Sequence, residues 1–355
     1  MPEPAISIVI PTLGRERVLR ETVGALLAPA ERADEVLVID QTPEHETETA
    51  AFLAAEQAAG RIRWLPHRPA GVVGAMNRGL REARGDIVLF LDDDIIPAPG
   101  LVAAHRRVYE EFPEAWAAVG RVVQPEDVES PSKTPASESR DHRPTEEGSR
   151  RRASGAARRV SPLRRDLEFR FNGTAPAWVA NVMAGNLSVR RERALAIGGF
   201  DPKFIPPVSF RFETEFARRL IAAGGRIRFE PAAEIRHLRA PSGGTRSLGS
   251  HLTSASPLHG VGDYYYALRC GRGRDRALYL LCRPFREVCT RFHLRHPWWI
   301  PVKLIGEVRA LRQALRLYRR PRDAERSDGS GPNDAELAAG GTERRCRNPI
   351  GDPRS

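Results

Sequence analysis

The sequence predicts an α/β chain: a mostly parallel sheet flanked by helices, with a helical C-terminal extension. Two apolar runs and one alternation carry that prediction. Ile87 to Leu91 (IVLFL) and Glu35 to Ile39 (EVLVI) are short and lack polar alternation, the pattern of strands covered on both faces. Between Ala5 and Leu91 such runs take turns with helical patterns, and a strand, helix, strand order implies right-handed crossovers into a parallel sheet.

Ala5 to Ile10 is the first β-rich run, halted by Pro11, and Leu19 to Leu27 reads as a helix. The second strand ends at Asp40. Glu44 to Ala59 is alanine-rich and helical, Arg61 to Leu65 is a third strand, and Gly71 to Arg84 is a helix leading into the run that ends in Asp92, Asp93 and Asp94. Helix Leu101 to Phe112 and a strand near Val119 to Val123 follow. From Pro125 to about Arg165 the composition turns to Pro, Ser, Glu and Arg. Such a segment buries too little surface to offset its ordering entropy, so residues 125–165 are expected to be a disordered insertion. Order resumes at Phe169. Trp178 to Arg190 reads as a strand and turn, Arg191 to Ile197 as a short helix stopped by Gly198 and Gly199, and Phe210 to Ala223 as a further helix. Arg226 to Phe229 is a strand leading to Pro231 and His237. The expected organisation is two halves of one α/β domain, 1–124 and 166–250, then a basic helical extension, 251–322, and a disordered tail, 323–355.

The chain has 355 residues, 41% of them hydrophobic, and a formal net charge of +11. That length can bury a substantial core, and that charge points to an anionic partner: a nucleotide, a membrane surface or nucleic acid. No nucleic-acid motif supports the last. Cys270, Cys282, Cys289 and Cys346 show neither zinc-type pairing nor a disulfide-like framework, which predicts reduced thiols in a cytoplasmic protein. Neither a signal peptide nor a membrane-spanning window is read, so any membrane contact is expected to be peripheral, at the inner face of the plasma membrane. Pro257 to Arg320 carries fourteen Arg and Lys against four acids, interleaved with aromatics such as Trp298 and Trp299. This suits a helical cap on the domain or an element held at an anionic membrane.

The chemistry concentrates at the ends of the strands. Extended side chains alternate, so Asp92 and Asp94 point one way and Asp93 the other. Adjacent carboxylates repel, and protonation, solvent or a hard divalent cation relieves them. A solvated acidic turn is the plain alternative. Pro11 to Arg15, Asp40 and the aspartates lie at successive carboxyl ends, the edge where open α/β sheets bind ligands.

Five segments in order carry a family resemblance: SIVIPTLGR (Ser7 to Arg15), VLVID ending at Asp40, GAMNRGLREARGDIVLFLDDDIIP from Gly74, GNLSVRRERALAIGGFDPKF from Gly185, and FETEFARRLIAAGGRIRFEPAAEIRH from Phe212 to His237. Together they resemble glycosyltransferase family 2, inverting enzymes with the Rossmann-like GT-A fold. The resemblance implies that the first half binds a nucleotide sugar through Pro11, Thr12, Arg15, Asp40, Asn77, Asp92 and Asp93. It implies that Asp92, Asp94 and His237 hold Mn2+ or Mg2+ at the diphosphate. The second half would then bind the acceptor, with Trp178, Gly185 and Asn186 near the donor or acceptor sugar and Glu213 as the general base. The implied reaction moves a sugar to a hydroxyl-bearing glycan or lipid-linked acceptor, in cell-envelope glycan, polysaccharide or glycolipid synthesis, with no nucleic-acid partner.

The chain departs from the family at two points. Met76 stands where the family has arginine, and Phe212 with Glu213 where it has Glu-Asp, so the base would be one methylene longer. Glu215 is a nearby competitor, and a charge favoured by the helix dipole is the plain reading of Glu213. Gln313 to Leu317 (QALRL) misses the tryptophan of the processive synthase signature, so non-processive transfer is expected. Two other functions compete. A sugar nucleotidyltransferase would carry a glycine-rich loop with Arg and Lys, where Pro11 to Arg15 offers one glycine and no lysine. A nucleotide-sugar-binding module without transferase activity is suggested by Phe212 and Met76.

Overall fold

A computed structural model of the chain describes residues 3–28, 33–125, 127, 163, 169–204, 210–240 and 252–320. The predicted tail lies outside the described residues, and so does the predicted insertion apart from Pro125, Asp127 and Leu163. The first half runs β1 (Ile6–Thr12), α1 (Arg17–Leu27), β2 (Glu35–Asp40), α2 (Thr47–Ala58), β3 (Arg63–Pro66), α3 (Val72–Glu82) and β4 (Ile87–Leu91). It continues through β5 (Ile95–Pro97), α4 (Leu101–Glu111), β6 (Ala115–Val123), β7 (Ala177–Val179), β8 (Asn186–Arg190), α5 (Arg191–Ala196), α6 (Phe212–Ala222) and β9 (Arg226–His237). Four further helices follow: α7 (Leu258–Cys270), α8 (Gly273–Val288), α9 (Arg291–Arg295) and α10 (Trp299–Arg319).

The strands form one sheet in the order β3, β2, β1, β4, β8, β6, β9, β5, with β7 beside β9. β3, β2, β1 and β4 are parallel neighbours, as their helical crossovers require. β8 then enters antiparallel between β4 and β6, so the sheet is parallel in its first part and mixed beyond it. Leu187, Ser188 and Val189 are all buried, and a strand covered on both faces can run in either direction. Every residue of β4 is buried, and each such Val, Leu or Ile contributes roughly 1.5–3 kcal/mol relative to exposure.

β9 is longer than its sequence suggests. Pro231 does not end it but sits in an irregularity where the register with β6 moves from Gly120 opposite Glu230 to Arg121 opposite Glu234, a bulge that accommodates proline without breaking the sheet. The extended strand pairs with β5, placing His237 opposite Ile95. Phe200 packs between Phe90 of β4 and Phe216 of α6, with ring centroids 5.4 Å and 4.4 Å away. It thereby ties the sheet to the later helices.

The C-terminal helices close on α6 and on each other around a buried charge network. Arg283 of α8 approaches Asp263 at 3.0 Å, Glu287 at 3.0 Å and Glu307 at 3.2 Å. Lys303 lies 3.3 Å from Glu307, and the Tyr264 hydroxyl donates to Glu307 at 3.0 Å. Leu163, which composition places inside the insertion, is fully buried beside Tyr266, Ala267 and Tyr279.

Candidate active site

β1 and β2 end in register, Thr12 opposite Asp40, and β4 ends beside β1 with the three aspartates just beyond it. The alternation read from the sequence is realised. Asp93 turns inward, its carboxylate accepting the Thr12 hydroxyl at 2.7 Å and facing the Arg15 guanidinium at 3.4 Å. Burial raises Asp93 to about 7, against the opposing pull of Thr12 and Arg15, while Asp92 and Asp94 add to the rise. Asp92 and Asp94 turn the other way, toward His237. Its Nε2 lies 3.4 Å from Asp92 and 3.3 Å from Asp94, and the three ligand atoms lie within 4.8 Å of one another. Asp94 also accepts the Ala240 N–H at 2.9 Å and meets Arg15 at 3.3 Å, so it is held rigidly. The Asp92 side chain is 47% exposed and opens the cluster to solvent.

One glycine makes room for this. Asp92 donates its backbone N–H to Gly185 O at 3.3 Å, and a Cβ on Gly185 would stand 2.2 Å from the Asp92 carboxylate. Only glycine lets the backbone come this close. On the adjacent residue, the Ala184 N–H donates to Glu213 at 2.8 Å. Glu213 and Asp92 therefore flank the same turn. Burial raises Glu213 to about 7, opposed by the Ala184 hydrogen bond, with Asp92 repulsion adding and Arg211 relieving. Glu213 lines a cavity of about 310 Å³ with Phe210, Arg211, His259, Asp263, Arg283 and Glu287. The C-terminal helices wall this cavity through His259, Asp263, Arg283 and Glu287. Glu215, the competing carboxylate, is fully buried. It is chelated by Arg219 Nε at 2.7 and 2.9 Å, which suits it to holding α6 in place.

Several predicted contacts lie elsewhere. Asn186 is completely buried, its amide joined to His105 Nε2 at 2.8 Å, Arg121 O at 3.2 Å and Ala233 O at 2.8 Å. It staples three strands. Asn77 gives both amide atoms to the Phe200 backbone, each at 2.8 Å, so it positions the Phe200 loop. Trp178 lies opposite Arg228, toward the end of β9 remote from His237, and stacks under Arg226 at 3.7 Å. Arg15 serves as the counter-charge of Asp93 and Asp94. Met76 is a core residue of α3, and Arg78 reaches the Pro66 carbonyl. Pro11 is half-buried at the end of β1.

Asp40 has partners no local pattern announces. It accepts the Thr42 N–H at 2.8 Å and the Trp64 indole N–H at 2.8 Å, and meets His45 Nε2 at 3.0 Å. His45 Nδ1 in turn meets Glu16 at 3.0 Å. Gln41 links the neighbouring segments, donating to Thr12 O at 3.2 Å and accepting the Gly71 N–H at 2.6 Å.

Residues 7–165 match the family described as Glycosyl transferase family 2, and the fold is of the GT-A type. Over 101 residues the chain is 34% identical to the glucosyl-3-phosphoglycerate synthase of Mycolicibacterium paratuberculosis (strain ATCC BAA-968 / K-10), covering 27% of this chain and 31% of that one. It is 32% identical over 92 residues to the uncharacterized glycosyltransferase EpsJ of Bacillus subtilis (strain 168), covering 26% of each. The matches thus span under a third of these curated relatives. Among solved structures, S. aureus TarS 1-349 superimposes with a TM-score of 0.51 at 11% identity, covering 88% of this chain and 83% of that one. GalNAc-T7, solved with UDP, GalNAc and Mn2+, gives 0.50 at 16% identity, covering 84% and 56%.

Proposed function

We propose that the protein is a cation-dependent, inverting, non-processive glycosyltransferase of the hexosyl type, moving one sugar from a nucleotide diphosphate sugar to a hydroxyl of a glycan or lipid-linked acceptor, in cell-envelope glycan, polysaccharide or glycolipid synthesis. The observation that carries it is the pairing, across the Gly185 turn, of an Asp92, Asp94 and His237 donor set with the raised carboxyl of Glu213.

The donor set fits a divalent cation. Two carboxylates and an imidazole converge within 4.8 Å, a mixture that suits manganese or magnesium, and Asp92 faces solvent. His237 Nδ1 accepts the Arg239 N–H at 3.2 Å, which puts the ring proton on Nε2. A cation held through Nε2 would need that proton on Nδ1, at the expense of the Arg239 contact. When bound, the cation supplies Lewis-acid stabilisation of the departing diphosphate. Thr12 and Arg15 hold Asp93 so that its two neighbours face the ligand. Pro11, Thr12 and Asp40 form the edge at which the nucleoside would lie.

Glu213 takes the proton of the acceptor hydroxyl. One of its oxygens is oriented by the Ala184 N–H, and a value near 7 suits a base working near neutral pH. The deprotonated oxygen attacks the anomeric carbon as the bond to the diphosphate breaks, a single displacement that inverts configuration. The acceptor would occupy the cavity beside Glu213, between α6 and the C-terminal helices. A panel of nucleotide sugars assayed for transfer and for thermal stabilisation, with manganese and with EDTA, tests the reading. Failure of every donor to bind or react would leave it without support.

A further inference from the structure

The C-terminal helices carry a feature that neither folding nor transfer explains. α8 has two apolar faces. Its inner face presents Tyr279 and the buried stem of Arg283 to α7 and α10. Its outer face leaves Leu278, Leu281 and Phe285 at 57%, 66% and 70% exposure, with Cys282 and Cys289 exposed on the same stripe. The spacing of three to four residues places these side chains in one row. Leu294 and Trp298, 77% and 64% exposed, follow on α9 and the start of the last helix. α10 repeats the arrangement. Lys303, Gly306, Glu307, Ala310 and Ala314 face inward, while Leu304, Ile305 and Val308 face water. Large apolar side chains exposed on three consecutive helices mark a contact surface.

Charge selects what that surface meets. Arg274, Arg291, Arg295, Arg309, Arg312 and Arg316 are exposed on the same helices. The acids there are internally engaged: Glu287 and Glu307 with Arg283 and Lys303, and Asp263 with Arg211 and Arg283. Asp275 is the remaining acid between residues 252 and 320. These helices thus expose apolar side chains and arginines together. A second copy of this chain would bring arginine against arginine, whereas an anionic lipid surface complements both parts. None of the helices among the described residues is long and apolar enough to cross a membrane.

We propose that α8, α9 and α10 form a docking surface for an anionic membrane, with Leu278, Leu281, Phe285, Leu294 and Trp298 entering the boundary between headgroups and acyl chains. The arginines stay at the phosphate level, their aliphatic stems covering apolar surface. This surface is independent of the transferase reading, because none of these side chains lines the cavity beside Glu213.

The test uses the full chain with vesicles of phosphatidylcholine alone and of phosphatidylcholine mixed with phosphatidylglycerol. The protein should co-sediment with the mixed vesicles and not with the neutral ones, and high salt should release part of it. Trp emission should shift to the blue on binding, and Trp298→Phe should remove most of that shift. Leu281→Glu combined with Phe285→Glu should weaken binding on the order of tenfold or more, with the melting temperature unchanged. Should that pair misfold, Arg309→Gln with Arg312→Gln and Arg316→Gln tests the arginines, and should erase the preference for anionic lipid. Absence of binding to mixed vesicles, or undiminished binding by the folded variants, overturns the proposal. So does lipid-free self-association that the double variant abolishes, since the surface would then belong to a second copy.

Discussion

The aspartate cluster and the C-terminal helices both gather charges away from water, and they balance them differently. In the helices, Asp263, Glu287 and Glu307 face Arg211, Arg283 and Lys303, three negative groups against three positive ones. At the sheet edge, Arg15 meets Asp93 and Asp94, while Asp92 and Asp94 face His237. Arg286 also reaches Glu287 at 4.0 Å, so each acid of the first set has a cation partner, and its effect is on the fold. The second has more acids than cations and is open at Asp92, where the proposed cation would bind. A balanced buried network holds shape, whereas an unbalanced one at a surface holds a ligand.

The contrast breaks most sharply at Glu213, which touches both regions. Glu213→Gln should lower transfer by roughly 10²- to 10⁴-fold while cation-dependent nucleotide binding persists, and Glu213→Asp should retain measurable transfer. Wild-type turnover by the glutamine variant would remove Glu213 from the chemistry. Arg283→Met tests the closed set. It takes one cation from Asp263 and Glu307, leaving them Arg211 and Lys303, and should cost up to roughly 3–5 kcal/mol, read as a lower midpoint in denaturant. An unchanged midpoint would mean that the network contributes little to stability.

Asp92→Asn tests the open set. A nucleoside diphosphate at a hundred times its dissociation constant should stabilise the wild type by about 3 kcal/mol with manganese and far less with EDTA, and the variant should lose that difference without losing stability of its own. Equal stabilisation of the wild type in manganese and EDTA would remove the cation role assigned to Asp92 and Asp94.

The smallest effect belongs to a neutral set under the sheet. His105 bridges the Ser188 hydroxyl and Asn186, each at 2.8 Å, and burial lowers it to about 4. The unfolded chain takes up this proton near pH 6.5, the folded one only near 4. The stability due to neutral His105 is therefore intact above pH 6.5 and lost as pH falls through 4, by up to about 3 kcal/mol. His105→Gln should flatten the acid limb of the stability profile between these values. An unchanged slope would assign that limb to other groups.

What could be read from the sequence was local. The apolar run of β4 and the alternation of Asp92, Asp93 and Asp94 follow from strand periodicity, and the first three of the five ordered motifs lie within the stretch that matches the family model. The remainder depends on partners distant in the chain. Asn77 and Asn186 are ligand contacts by family resemblance, yet their amides complete backbone hydrogen bonds far away in sequence. His45 and Trp64 carry no motif and come together at Asp40. Pro231 reads as a strand end unless the bulge opposite β6 is known. The direction of β8 has no local signal, because a doubly covered strand looks the same either way.

Arg211 gives the C-terminal helices a hold on the cavity at some distance from their own packing. It enters α6 with φ at 74°, a left-handed conformation unusual for a side chain of this size. Its guanidinium is gripped by Asp263 at 2.7 Å, and Glu213 lies two residues further along the chain. The strained peptide behaves as a tensioned link whose far anchor is α7. Slackening that anchor by Asp263→Ala would let the link relax and the Glu213 carboxyl drift while the sheet stays folded. The aim of one side chain is thus fixed by a segment with no motif of its own.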